Sequence, residues 1–244
     1  MALTCDVATL VERIDGELQA LGTAERAAHE KAYLKSSLLH YGVSVPDVRK
    51  LAKTVASREG LTDHDELVEL TSALWDNGIY EQRAIAVEFL ALYRRLLVAE
   101  DLALIEELLR RSYTWALVDH LAETIVGFLL TRYPELGTQL DRWTSDEDFW
   151  IRRSALLALL RPLRDGGGDF ARFARYADNM IEEKEFFIRK AIGWVLRETG
   201  KKQPDLVTEW LLPRAKLVSG LTFREAVRRL PEDKREQLLA ARNA

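Results

Sequence analysis

Apolar positions recur along nearly the whole chain at steps of three and four residues, and no alternating strand pattern persists beyond a few positions. That periodicity predicts an all-α protein. Leu3 to Leu21 and Ala24 to Tyr41 read as two amphipathic helices interrupted at Gly22 and Gly42, and Pro46 opens a third through Val48, Leu51 and Val55. Gly60 to His64 is expected to be a loop. Further along, Ile85, Phe89, Leu92 and Leu96 are spaced by four, three and four, as on a helix with one buried face. Ser145 with Asp148 three residues on has the form of a cap for the helix that carries Trp150 and Arg153.

The pattern repeats at a longer period. Aligning IYEQRAIA from Ile79, TWALVDHL from Thr114, FWIRRSAL from Phe149, FFIRKAIG from Phe186 and TFREAVRR from Thr222 puts an aromatic at Tyr80, Trp115, Trp150, Phe187 and Phe223, at intervals of 35, 35, 37 and 36 residues. Each block opens a helix and follows another helical stretch, so the unit is a helix pair of the size of a HEAT-like repeat. Such units bury their apolar faces against their neighbours. The expected fold is therefore an α-α superhelix, a single HEAT-like helical-repeat domain over residues 1–244 with a concave face.

Composition narrows the class. Of 244 residues, 48% are hydrophobic and 30% charged, enough for a large core. No apolar run approaches the roughly 20 residues of a membrane span, and the amino terminus lacks a basic region, so an intracellular, cytoplasmic protein without a membrane partner is expected. The lone Cys5 rules out an internal disulfide, and four scattered histidines form no cluster with metal-ligand spacing, so neither metal nor other cofactor is expected. The Gly166 to Gly168 run lacks the Lys-Ser or Lys-Thr of a phosphate cradle. The formal net charge is −4, but it is unevenly spread: residues 1–120 hold 13 Lys and Arg against 20 Asp and Glu, while residues 121–244 hold 22 against 19. From Arg189 to Arg235 there are 12 basic and six acidic residues. A local positive surface for nucleic acid can thus sit on an acidic chain.

The candidate chemistry lies in the second block. Trp115 and Asp119 stand one helical turn apart on one face. Four residues after the block aromatic the repeats carry Ala84, Asp119, Ser154, Ala191 and Val227, so a carboxylate replaces a small or apolar residue once. Burying it unpaired is costly, which points to solvent, a salt bridge or a cationic guest. The neighbouring His120 points about 100 degrees away and reads as a surface or packing residue. In the fourth block, Ile188, Ile192 and Val195 make one apolar line and Phe187, Ala191 and Trp194 a second, with Lys190 and Arg197 on the face of Trp194. An aromatic between two cations suits an anionic, planar partner. Arg153 repeats the position of Arg83, which leaves a repeat-stabilising arginine as its plain alternative, as solvated helix faces are for Arg152, Arg189, Lys190 and Arg197.

Four stretches together carry a family resemblance: AYLKSSLLHYGVSVPDVRKL with Tyr33, the Trp115 and Asp119 pair, WIRRSALL with Arg153, and EFFIRKAIGWVLRE from Glu185 to Glu198. The chain resembles, over nearly its whole length, the DNA alkylation repair family of HEAT-like-repeat DNA glycosylases of the AlkD type. The resemblance implies that Asp119 is the catalytic carboxylate, that Trp115 and Trp194 are aromatic walls about the lesion sugar, that Tyr33 completes the site, and that Arg153 is a basic residue beside it. It also implies a concave DNA-binding face, a monomer acting on double-stranded DNA that contains alkylated bases, release of cationic N3- or N7-alkylated purines without flipping the base into a pocket, and tolerance of bulky adducts. Arg152, Lys190 and Arg197 are the further expected DNA contacts, and the nucleoid is the expected place of work. A scaffold that binds DNA or protein without chemistry is the competing reading, disfavoured by an acid set where it would repel phosphate.

Overall fold

The computed structural model describes residues 6–244, and among them every regular element is helical apart from an isolated bridge between Leu39 and Ile79. Cys5 and the start of the helix expected from Leu3 lie outside the described residues. No described helix is long and apolar enough to cross a membrane. The chain groups into two compact units, Met1–Leu121 and Ala122–Ala244.

In the first unit α1 (Val7–Leu21) starts at Asp6, whose side chain accepts from Thr9 N, and buries Leu10, Ile14 and Leu18. α2 (Ala24–Leu34) is capped by Thr23, α3 (Val45–Glu59) by Ser44 with Pro46 in its first turn, and α4 (His64–Asp76) by Asp63. α5 (Tyr80–Leu92) packs on α1, α3, α4 and α7, and so forms the centre of this unit; α6 (Leu102–Arg110) and α7 (Trp115–His120) complete it.

Two expectations are corrected here. The second helix stops at Leu34, not Tyr41: Lys35 adopts the left-handed conformation at φ 49°, and Ser36 Oγ accepts from Leu38 N, a local bond that competes with the helix ladder. The following chain is extended, with Leu39 N donating to Gly78 O and Tyr80 N to Leu39 O. The apolar stripe from Ile85 also ends early. α5 stops at Leu92, which is 43% exposed, and Arg94–Leu96 form a 3₁₀ turn, so the buried face is Ile85, Ala86, Phe89 and Leu90.

The second unit comprises α8 (Gly127–Arg132), α9 (Gly137–Trp143), α10 (Phe149–Leu157), α11 (Leu160–Arg164), α12 (Phe170–Asn179), α13 (Phe186–Gly200), α14 (Pro204–Leu211), α15 (Gly220–Val227) and α16 (Glu232–Asn243). α13 is its centre, in contact with α10, α11, α14 and α15. The approach of α15 depends on Gly193, because a Cβ there would stand 2.7 Å from Glu225 Cβ and 3.0 Å from the Thr222 carbonyl oxygen. Thr222 Oγ1 donates across the same contact to Arg189 O at 3.0 Å. The cap of α10 is a third correction. Asp148 itself accepts from Trp150 N at 2.8 Å while Asp146 accepts from Asp148 N, and Ser145 is exposed and takes no part in the cap.

Candidate functional site

The expected site residues divide between the units: Tyr33, Trp115 and Asp119 belong to the first, and Arg152, Arg153, Lys190, Trp194 and Arg197 to the second. In the first unit, the entry to α7 is built from an unusual backbone. Tyr113 is held at φ 55°, a conformation that a bulky side chain adopts at a cost, and its ring is 51% exposed under the guanidinium of Arg83, 5.6 Å from the ring centre. Thr114 follows, buried, and donates from Oγ1 to the carbonyl of Leu34 at 3.5 Å. This ties the start of α7 to the end of α2. The consequence is that Tyr33 on α2 and Trp115 on α7 meet edge to face, with centroids 5.8 Å apart and planes at 82°. Tyr33 is 66% exposed and Trp115 half-buried, so the aromatic pair is open to solvent along one side.

Asp119 lies one turn along α7 and is also half-buried, whereas Leu117 and Val118 between them are fully in the core. The amphipathic split of this short helix therefore puts the aromatic ring and the carboxylate together on its wetter side. His120, also half-buried, meets Glu88 on α5, with Nδ1 at 3.7 Å. Residues Leu121–Val126 are π-helical. Such wide turns are rare and gather at functional positions, yet the sequence LAETIV gives no local sign of one.

In the second unit, Arg153 is among the largest fully buried side chains. Its guanidinium donates to Phe187 O and lies 5.6 Å from the Phe187 ring centre. Arg83 in the first unit is handled alike: buried, it donates from Nε to Trp75 O at 3.0 Å and from Nη1 to Arg111 O. The two residues share a repeat position, and in each case an arginine locks its own repeat to backbone of a neighbouring stretch. Arg152 is engaged too. Its Nε and Nη2 reach the two carboxylate oxygens of Glu183 at 2.6 and 3.0 Å, and Nη1 donates to Asp146 O and Glu147 O. Trp150 packs with Phe149 and Phe187 in a cluster of rings.

On α13, Ile188, Ile192 and Val195 are buried and Trp194 is half-buried, which reproduces the two stripes. The two flanking cations differ. Lys190 is exposed with Nζ 5.7 Å from the centre of the Phe186 ring, itself 52% exposed. Arg197 instead pairs with Glu225 and Glu198. Burial pushes the Glu198 carboxyl pKa up, but hydrogen bonds from Lys201 and Arg197 and the charge of Arg164 outweigh it and hold the group below the usual carboxylate range. Much of the basic surplus after residue 189 is consumed in this way, since Arg214 pairs with Asp178 and Lys234 with Asp205. Lys190 on α13 and Lys216, Arg224, Arg228 and Arg229 in and around α15 are exposed. Several of the neutralising acids are distant in sequence, as Glu225 is from Arg197 and Asp178 from Arg214, so spacing along the chain does not separate paired from exposed cations.

Comparison with known proteins is consistent along the chain. The model of the family described as DNA alkylation repair enzyme matches residues 14–230. A structure described as a predicted DNA alkylation repair enzyme from Enterococcus faecalis shares the fold with a TM-score of 0.75 and 24% identity, over 86% of this chain and 97% of that one. AlkD2 from Streptococcus mutans aligns with a TM-score of 0.64 and 17% identity over 92% and 99%, and smu.31 from Streptococcus mutans UA159 with 0.58 and 20% over 77% and 93%. Among curated proteins there is no match.

Proposed function

Because the chain belongs to the DNA alkylation repair enzyme family, we propose that it is a monofunctional DNA glycosylase that hydrolyses the N-glycosidic bond of cationic N3- or N7-alkylated purines, such as 3-methyladenine and 7-methylguanine, in duplex DNA. The observation that carries the reading is the half-buried Asp119 one turn from Trp115, whose ring is braced edge-on by the exposed Tyr33.

The chemistry such a pair can perform is limited and well matched to these lesions. Alkylation at a ring nitrogen leaves the purine positively charged, so the bond between C1′ and the base breaks with its electron pair going to the departing base. The developing positive charge is then on the sugar. A carboxylate about 4 Å away, at an effective dielectric near 20, attracts that charge by on the order of 4 kcal/mol, which is about three powers of ten in rate. The face of a tryptophan adds about 0.5–2 kcal/mol. Water then forms the new bond at C1′ and gives up a proton, which Asp119 is able to accept. The family resemblance assigns Trp194 an aromatic role of the same kind, and a half-buried indole on α13 is compatible with it. Exposed cations such as Lys190 and Arg224 supply phosphate contacts.

The assignment of Arg152, Arg153 and Arg197 to DNA contact is weakened by their internal partners. The same pairing favours the second reading, a helical-repeat scaffold without chemistry. The two are separated by incubating the protein with duplex DNA that carries a single 7-methylguanine or, in parallel, a neutral lesion. The glycosylase reading expects free 7-methylguanine and an abasic strand, with the cationic lesion strongly preferred. Binding of the duplex with no base released from any cationic lesion would favour the scaffold.

A further inference from the structure

The extended segment after α2 places residues alternately in and out: Ser36, Leu38 and His40 are buried, whereas Lys35, Ser37 and Leu39 are exposed. His40 is thereby driven inside at 7% exposure, with its ring stacked on Tyr80 at a centroid distance of 4.6 Å and an interplanar angle of 12°. Neither ring nitrogen has a hydrogen-bond partner, and Glu30 Oε2, also buried, has none. Glu81 lies next to them at 0% exposure. One ligand atom each from Glu30, His40 and Glu81 lies within 4.8 Å of the others.

Left to themselves these groups are an expensive arrangement. Each buried polar atom without a partner costs free energy, and two carboxylates this close repel one another. A single divalent cation would satisfy the open lone pairs of His40 and Glu30 and balance both acids at once. We propose that Glu30, His40 and Glu81 form a binding site for a divalent first-row transition metal ion of the zinc type, with the imidazole and the two carboxylates as its protein ligands. One nitrogen and two oxygens suit an ion of intermediate softness better than calcium or magnesium, which take oxygen ligands alone. Bond lengths of about 2.0–2.2 Å require ligand atoms closer together than 4.8 Å, so the ion would draw the three side chains inward. Three protein ligands leave the fourth position of a tetrahedral ion to water.

The surroundings are those of a ligand set held in place from outside. Glu81 Oε1 accepts from Gly42 N at 2.6 Å and Val43 N at 3.2 Å, and Oε2 from Tyr41 N at 3.0 Å, so its carboxylate is fixed by backbone N–H groups just beyond His40. Glu30 Oε1 meets Arg26 at 2.7 Å, which leaves Oε2 for the ion. The ion would fasten three stretches distant in sequence: α2, the extended segment and the first turn of α5. Tyr33 sits one turn after Glu30 on α2, so the same clamp would steady the helix that presents it.

The test uses the full chain without an affinity tag, in a Cys5→Ser background so that the lone thiol cannot account for binding, stripped with chelator and titrated with Zn²⁺ by calorimetry. The expected result is one equivalent bound, a rise in Tm of roughly 5 °C at Zn²⁺ about a hundredfold above Kd, and no such response to Mg²⁺. His40→Phe, which keeps a ring against Tyr80 but removes both nitrogens, and Glu30→Gln, at the edge of the site on α2, are each expected to weaken Zn²⁺ binding at least about tenfold while the metal-free proteins keep wild-type circular dichroism. Should His40→Phe fail to fold, Glu30→Gln decides alone. Absence of stoichiometric Zn²⁺ binding by wild type, or binding that survives in the folded variants, would overturn the proposal. Neither result decides whether base is released, because Asp119 and Trp115, which carry that reading, lie outside the ligand set.

Discussion

The blocks that open α7 and α10 occupy the same register of the repeat and use it in opposite ways. In α10 the third residue after the block tryptophan is a buried cation, Arg153, bonded to backbone, and the fourth is Ser154, buried and donating to Trp150 O at 2.8 Å. In α7 the third is an apolar core residue, Val118, and the fourth is the half-buried carboxylate of Asp119. Position four is half-exposed at Ala84 and Asp119 in the first unit but buried at Ser154, Ala191 and Val227 in the second. A repeat register fixes which side of a helix a residue occupies; solvent access at that position is set by what packs over it. The acid stands where water still reaches, and the arginine stands where it does not. One block presents a half-buried carboxylate and the other a buried bolt.

The comparison is sharpened most by exchanging the two fourth positions. Asp119→Ser gives α7 the residue that α10 carries; it is expected to leave the circular dichroism unchanged and stability within about 1 kcal/mol, while single-turnover base release falls by about three powers of ten. A protein that keeps most of its activity would contradict the electrostatic role of the acid. Next, Arg153→Ala removes a buried guanidinium and leaves the Phe187 carbonyl short of a donor, which should cost on the order of 3 kcal/mol, seen as a drop in Tm of roughly 6–12 °C. Lysine at 153 should not restore it, because one ammonium cannot reproduce the planar donor set. Binding to undamaged DNA should change little if Arg153 is structural.

Much of this was legible in the chain and the remainder was not, for definite reasons. The repeat period, the two stripes of α13 and the juxtaposition of Trp115 with Asp119 follow from spacing alone, since helical geometry converts separations of three and four into neighbours. The extended run after Leu34 was not legible, because Ser36 and Ser37 sit between good helix formers and it is the bridge from Leu39 to Ile79, forty residues further along the chain, that completes the extended backbone. For the same reason the set of Glu30, His40 and Glu81 has no ligand spacing along the sequence, as no short motif joins residues from α2, an extended segment and α5. Pairing of cations such as Arg197 with Glu225 is likewise a property of packing between helices.

Smaller effects refine the contrast. Trp115→Ala should lower base release roughly tenfold, and Trp115→Phe by less, whereas Trp150→Phe, in the ring cluster with Phe149 and Phe187, should alter Tm and not the rate. Arg152→Ala loses a half-buried pair with Glu183 and should cost about 0.5–1 kcal/mol, a fraction of the Arg153 effect. The least is a pH effect in the first unit. Hydrogen bonds from the His64 ring to Asp65 and Asp101 raise its pKa above the usual 6.5, so the folded state holds this proton more tightly than the unfolded chain. That contribution is fully present below pH 6.5 and is lost as pH rises through the raised value. Melting curves of His64→Gln should therefore differ from wild type at pH 6 and converge toward it by pH 9 or so.

The most direct test compares wild type with Asp119→Asn, a nearly isosteric change that removes the charge, by single-turnover release of 7-methylguanine from duplex DNA alongside binding to the same duplex. The account predicts release by wild type, loss of about three powers of ten in the variant, and binding retained. Equal release by the two proteins would contradict it.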